Sequence, residues 1–208
     1  MFDLNLDYKV VLIDNEVAII DDWYKDYDQI IDMLKRQTPA PYRPDSNVNY
    51  DFDNGVKYKD CRLDIPNTNN ETLTEIEKII GEKLTFAKYD SFTFNYWKNI
   101  EVPSNNYQSI PHIDSHDFAL ACVIYMDTIS SGGTQLYDAV LSDVSGTGLN
   151  DISKFQTKMQ IKPRRLLEAK PNRLVIYPGN LWHGAFIEDH SKYVDDWRIN
   201  QVNFMRMQ

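Results

Sequence analysis

Phe92-Thr93-Phe94-Asn95-Tyr96 sets an aromatic ring at every second position. That is the period of a β-strand, in which residues i and i+2 share a face. The pattern begins at Leu84 and Phe86. It continues through Tyr107 to Ile113, Phe118 to Met126, Gln135 to Tyr137, Met159 to Ile161, Leu174 to Tyr177, Gly184 to Ile187 and Asn200 to Met207. Turn-rich loops separate these runs. They amount to about eight strands with no helical segments between them, which points to antiparallel sheets packed face to face. A doubly wound α/β fold would need alternating helices. The predicted class is mainly β with supporting helices.

Working outward from the strands, Tyr8 to Ile13 suits a first or edge strand. Asp21-Asp22 is placed to cap a helix carrying Trp23, Tyr27, Ile30, Ile31 and Leu34, mostly at spacings of three and four. Pro39, Pro41 and Pro44 end it. Residues 38–70 are polar with scattered aromatics and read as a long irregular connection, with Tyr50, Phe52 and Tyr58 packed on the body. Asn70 caps a second helix whose apolar face is Leu73, Ile76, Ile79 and Ile80. Helices near 22–36 and 71–82 need an apolar surface, so they are expected outside one of the sheets. The expected organisation is a single domain, 1–208. Residues 1–85 supply an N-terminal strand and helical support, and 86–208 the barrel core. The polar stretch Ser142 to Asn150 is a surface loop or lid.

The chain has 208 residues, 42% hydrophobic and 25% charged, with a formal net charge of −9. An acidic balance repels phosphate backbones and argues against a nucleic-acid partner. The basic residues Lys158, Lys162, Arg164, Arg165, Lys170 and Arg173 read as a solvated loop face. Cys61 and Cys122 are the only cysteines. Cys122 lies in an apolar run, and nothing in the pattern calls for a disulfide, which suits a reducing compartment. The first residues carry acids where a signal peptide has a basic and then an apolar region, and no stretch is apolar enough for a membrane span. The expected location is cytoplasmic, with no membrane association.

Two short patches carry the chemistry. Ile110-Pro111-His112-Ile113-Asp114 sets an imidazole and a carboxylate two apart, on one face if the segment is extended. Leu181-Trp182-His183 follows the run Leu174 to Tyr177 and a Pro178-Gly179 turn. Two imidazoles and one carboxylate form the facial triad typical of a non-haem Fe(II) centre. His116 and Asp117 extend the first patch, but the order of residue types is wrong for a metallo-hydrolase. His116 reads as a loop residue beside the metal. No Ser-His-Asp or Cys-His nucleophile pattern is present.

With these patches in their order, the chain resembles the 2-oxoglutarate/Fe(II)-dependent oxygenases, in particular the prolyl-hydroxylase-like branch. The likeness covers roughly residues 86 to 208. It rests on His112-x-Asp114, on Cys122-Val-Ile-Tyr125-Met-Asp127 followed by Ser131-Gly132-Gly133-Thr134, on Asn172-Arg173-Leu174-Val175-Ile176-Tyr177-Pro178, and on His183. Asn172 stands where the family often has glycine, and Asn tolerates turn conformations. The resemblance implies a double-stranded β-helix, that is, a jelly-roll, cupin-like core. It implies Fe(II) held by His112, Asp114 and His183, with 2-oxoglutarate as cosubstrate and O2 as oxidant. The implied reaction is hydroxylation of an unactivated C–H bond with release of succinate and CO2, on a small-molecule or peptidyl substrate, including a free amino acid. Asp114 argues against halogenase relatives, which carry a small residue there.

The family also needs a basic residue on the last core strand to grip the far carboxylate of 2-oxoglutarate. Arg198 is the natural choice, and its guanidinium fork suits a bidentate grip. The competing use of Arg198 is a salt bridge to Asp195 or Asp196, and Arg206 lies too near the chain end. Tyr125 is the expected hydroxyl donor to the same carboxylate, with Tyr107 the weaker choice. The alternative to an oxygenase is a non-oxygenase metal-binding cupin-like protein or a structural jelly-roll module. The first patch counts against a cupin, which normally carries His-x-His.

Overall fold

The computed structural model describes residues 2–41, 49–50, 57–66, 71–87, 91–100, 107–108, 111–114, 117–129, 131–141 and 159–208. His116 and the loop 142–150 lie outside them. The described strands are β1 (Val10–Ile13), β2 (Val17–Ile20), β3 (Ala40–Pro41), β4 (Asn49–Tyr50), β5 (Lys57–Pro66), β6 (Leu84–Phe86), β7 (Ser91–Asn99), β8 (Tyr107–Gln108), β9 (Leu120–Tyr125), β10 (Gly133–Leu141), β11 (Met159–Glu168), β12 (Arg173–Pro178), β13 (His183–Ile187) and β14 (Arg198–Met207). Two helices, α1 (Tyr27–Lys35) and α2 (Glu71–Ile80), complete the frame.

Among the described residues the strands form two sheets. The larger runs β1-β2-β12-β9-β14-β7-β5-β3, with β4 beside β5 and β6 beside β14; the smaller runs β11-β10-β13-β8. The pairings around the site are all antiparallel. Strands distant in sequence lie side by side, as β14 does between β9 and β7. This interleaving makes the fold a double-stranded β-helix of the jelly-roll, cupin-like kind.

Alternation then sorts side chains to two cores. Phe92, Phe94, Tyr96, Ile199, Met205, Cys122, Ile124, Leu174 and Ile176 face outward from the large sheet. There they meet Ile30, Ile31 and Leu34 of α1 and Ile76 of α2. The helices cover the outside of one sheet, as their apolar stripes require. Tyr96 ties the layers by donating its hydroxyl to the Leu34 carbonyl at 3.1 Å. Between the sheets, Val123, Tyr125, Val175 and Tyr177 pack against Leu136 and Leu167. Burial pushes the Cys122 thiol up to about 12, and both cysteines are free.

The structure departs from the sequence reading in the N-terminal part. The first helix starts at Tyr27, not near residue 22. Val17–Ile20 forms a strand on β12, and the chain after it stays tied to the sheet. Trp23 N–H donates to the Asn172 carbonyl at 3.0 Å and Tyr24 N–H to Asn172 Oδ1 at 2.8 Å. These amides are spent before a helix can use them. Asn172 itself sits at φ +62°, the left-handed turn expected of it, and also donates Nδ2 to the Tyr24 carbonyl at 2.8 Å. Nor is 38–70 wholly irregular. It contributes β5, a ten-residue strand in full register with β7. The basic stretch is solvated but mostly not loop: Lys162, Arg164 and Arg165 are exposed on β11 and Lys170 in the turn after it, with Arg164 on Glu16 at 2.8 Å, while Arg173 is buried on β12 and grips Asp21. Lys158 lies outside the described residues.

Candidate metal centre and cavity

The site is built where β13 begins. His112 N–H donates to the His183 carbonyl at 2.8 Å, and His183 N–H returns a bond to the His112 carbonyl at 2.9 Å. This bridge sets the two imidazoles together, ring centroids 4.6 Å apart. Two residues on, Asp114 N–H donates to the Gly179 carbonyl at 3.2 Å. Gly179 opens the turn after β12, where an added Cβ would meet the Phe118 carbonyl oxygen at 2.5 Å. Only glycine lets this turn pass so near the entry to β9.

The donor atoms are oriented before any metal arrives. His183 Nδ1 lies 2.8 Å from the Leu181 carbonyl. A carbonyl only accepts, so Nδ1 carries the proton and Nε2 the lone pair. That Nε2 faces Asp114 Oδ2 at 3.3 Å. Asp114 Oδ2 is buried and has no hydrogen-bond partner. With the ring neutral, two acceptors oppose each other, which is unfavourable unless a cation lies between them. His112 Nε2 stands 3.9 Å from Asp114 Oδ1. One ligand atom from each of the three lies within 4.8 Å of the others. Adjacent ligands with bonds of about 2.0–2.2 Å stand roughly 3 Å apart, so small side-chain rotations close the set. The residues fit a divalent metal held on one face, and two imidazoles with one carboxylate suit iron. The Tyr177 ring backs His183 at 4.9 Å. Burial, and then the Asp114 charge, hold its hydroxyl protonated well above the ordinary range.

His112 and Asp114 open on a cavity of about 360 Å³. Arg198, the first residue of β14, lines the same cavity and is only 5% exposed. With the Asn200 amide turned to satisfy both groups, its oxygen accepts from Arg198 Nη1 at 2.6 Å. Arg198 Nε is buried without a partner. The alternative salt bridge to Asp196 is not formed; that carboxylate pairs with Lys35 at 2.9 Å. Behind Arg198, Asp127 is buried and accepts from the Tyr193 hydroxyl at 2.8 Å. Burial pushes the Asp127 carboxyl up to about 6, opposed by the Arg198 charge.

Neither Tyr125 nor Arg206, the arginine already set aside, lines this cavity. Tyr125 is fully buried between the sheets, and its hydroxyl is engaged by Thr134 Oγ1 at 2.9 Å and the Leu167 carbonyl at 3.1 Å. Tyr107 lies on β8, and its side chain is outside the described structure. Arg206 is exposed over the Phe118 ring. Conversely, Asp60, Arg62, Ser91, Thr93 and Asn95 line the cavity, and sequence reading singled out none of them for the site. The signal was available: polar residues alternate with Cys61, Leu63 and Ile65 along β5 as they do with Phe92 and Phe94 along β7.

Comparison with known proteins adds three findings. Residues 157–199 match DUF6445, a family of unknown function. No curated protein sequence matches the chain. Several solved structures are similar. A 2OG-Fe(II) oxygenase family oxidoreductase from Burkholderia pseudomallei superposes with a TM-score of 0.57 at 10% identity, over 93% of this chain and 86% of that one. The non-heme alpha ketoglutarate dependent epimerase SnoN from nogalamycin biosynthesis gives 0.53 at 10% identity, over 92% and 76%. HygX from Streptomyces hygroscopicus, with nickel and 2-oxoglutarate bound, gives 0.50 at 8% identity, over 95% and 88%. At such identities the likeness establishes the fold, and the chain has the double-stranded β-helix architecture of these proteins.

Proposed function

We propose that the protein is a non-haem Fe(II)- and 2-oxoglutarate-dependent dioxygenase that hydroxylates an unactivated C–H bond of a peptidyl or free amino acid, releasing succinate and CO2. The observation that carries this reading is the convergence of His112, Asp114 and His183, with the buried, unpartnered Asp114 Oδ2 facing His183 Nε2 at 3.3 Å, beside a cavity that also holds Arg198. His112, Asp114 and His183 hold the metal. When bound, iron with 2-oxoglutarate and O2 supplies the oxidising power for C–H hydroxylation. Arg198 receives the far carboxylate of 2-oxoglutarate, with Nε and the remaining guanidinium donors as its fork. Asn200 holds that guanidinium in place, and Asp127 lies behind as its counter-charge. The Leu181 carbonyl fixes the His183 tautomer, so the ligating nitrogen needs no rearrangement. Two free cysteines fit a reducing, cytoplasmic setting. No helix among the described residues is long and apolar enough to cross a membrane.

The test is an anaerobic titration with Fe(II) and then 2-oxoglutarate, followed by admission of O2 and measurement of succinate. A weak visible charge-transfer band on adding 2-oxoglutarate, lost in His183→Ala, is the expected result. Iron binding with no uptake of 2-oxoglutarate would instead identify a metal-binding cupin-like barrel. Binding of neither would leave a structural jelly roll.

A further inference from the structure

The inner face of the large sheet changes character along its width. Toward β9 and β12 it is apolar: Val123, Tyr125, Val175 and Tyr177. Toward β14, β7 and β5 polar groups enter it: Asp60, Arg62, Ser91, Thr93, Asn95 and Asn200 line the cavity together with Trp97, Val202 and Phe204. The reverse face of the same strands is wholly committed to the core through Cys61, Leu63, Ile65, Phe92, Phe94 and Tyr96. These polar residues are half-buried, so water or a ligand can meet their hydrogen-bonding groups.

Two members of this wall carry opposite charges. Asp60 and Arg62 are two apart on β5 and project to the same side. Arg62 is held in place by Nε–H on Asp64 Oδ1 at 3.0 Å and an Nη2 hydrogen on Thr93 Oγ1 at 3.1 Å. Those two bonds use one edge of the guanidinium; Nη1 makes no hydrogen bond among the described residues and is left for a ligand. The register sets Asp60 opposite Trp97 and Trp97 opposite Arg198. Two interstrand spacings, about 10 Å in all, therefore separate the charge pair from the arginine assigned to the cosubstrate. The volume, about 360 Å³ for cosubstrate and substrate together, is at the small end for ligand sites.

We infer that the Asp60–Arg62 wall is the substrate subsite and that it takes the zwitterionic head of a free α-amino acid, the carboxylate on Arg62 and the ammonium on Asp60. This rests on the dioxygenase reading and narrows it. A residue inside a peptide has neither charge and gains nothing from the pair. Asp60 keeps lone pairs for an ammonium alongside any other contact it makes, since a carboxylate accepts at about four positions. Asn95, opposite Arg62 on β5 and Asn200 on β14, supplies a neutral hydrogen bond between the charge pair and the Arg198 side of the cavity.

The test uses the full chain loaded with Mn(II) and saturating 2-oxoglutarate, and reads the paramagnetic relaxation of methyl protons of added L-alanine, N-acetyl-L-alanine and L-alaninamide. L-alanine is expected to relax at least about five-fold more than either blocked form. Arg62→Gln and Asp60→Asn should each abolish the difference, and Arg62→Lys should retain part of it. 2-Oxoglutarate affinity, measured on the same samples, should stay within about two-fold in all three variants, which also shows that they are folded. Equal relaxation by the three probes, no relaxation by any, or wild-type behaviour of Arg62→Gln overturns the inference. A wild-type protein that fails to bind 2-oxoglutarate rejects the dioxygenase reading instead, so the two failures are distinguishable.

Discussion

Asp114 Oδ2 and His183 Nε2 face each other at 3.3 Å, and with His183 as the neutral Nδ1–H tautomer that the Leu181 carbonyl selects, neither brings a proton to the contact. The pair is poorly matched without a cation and well matched with one. Asp114→Asn replaces one acceptor by an amide able to donate. The metal-free variant should be at least as stable as the metal-free parent, with a gain of up to about 1–3 kcal/mol for relief of an unsatisfied buried group. Mn(II) affinity should fall by more than the 10–100-fold typical of losing an outer-sphere partner. Denaturation in chelator and calorimetric Mn(II) titration check the two halves. A variant that binds Mn(II) as tightly as the parent would remove Asp114 from the ligand set.

Arg198 is buried at the start of β14 with Nε unpartnered. Arg198→Ala should weaken 2-oxoglutarate binding to the Mn(II) form by about 30-fold or more, since truncating a buried charge-assisted contact costs about 2–5 kcal/mol. Mn(II) affinity without 2-oxoglutarate should change little, because Arg198 is no ligand. Unchanged 2-oxoglutarate affinity would move suspicion to Arg62, the other guanidinium of the cavity.

Tyr125 was the expected hydroxyl partner of the cosubstrate, yet its hydroxyl lies between Thr134 and the Leu167 carbonyl. Tyr125→Phe should therefore cost about 0.5–1.5 kcal/mol of folding stability and leave 2-oxoglutarate affinity unchanged. Parallel denaturation and binding measurements decide it. A clear loss of affinity at unchanged stability would restore Tyr125 to the cosubstrate.

Asp127 links stability to pH. Burial raises its carboxyl from 3.8 to about 6, so the folded state holds this proton more tightly than the unfolded chain. Its contribution is fully present below about pH 4 and is lost as pH rises toward 6. At about 1.36 kcal/mol per unit, the loss is about 3 kcal/mol. Asp127→Asn should flatten that component of the stability profile between pH 4 and 6, measured by denaturation at each pH. A profile that still falls over this window assigns the effect to another group.

Much of the fold was legible because its signals are local. Period-two alternation in Phe92, Phe94 and Tyr96 marks a strand wherever the chain goes, and spacing marks the buried stripe of Ile30, Ile31 and Leu34. The metal ligands were legible for a similar reason: His112 and Asp114 lie two apart, and His183 follows a readable strand and turn. The misreadings fall where a longer-range partner decides. Asp21 to Tyr24 has the composition of a helix start, but the Asn172 carbonyl takes the Trp23 amide and the Asn172 side chain the Tyr24 amide. Tyr125 lies on a core strand as expected, and Thr134 and Leu167 decide what its hydroxyl meets.

The sequence by itself determined a β sandwich with an Asp and two His at one end, since strand period and ligand spacing are properties of short segments. Only the tertiary structure decided which polar residues matter. Asp60 and Arg62 alternate with Cys61 and Leu63 just as on any half-exposed strand, whose charged face meets solvent. Their meaning changes because β5 lies beside β7, and β7 beside β14, so that the face turned toward Arg198 and the metal ligands closes a cavity. The cost of desolvating a charge depends on what the opposite wall brings, and that wall comes from the other sheet.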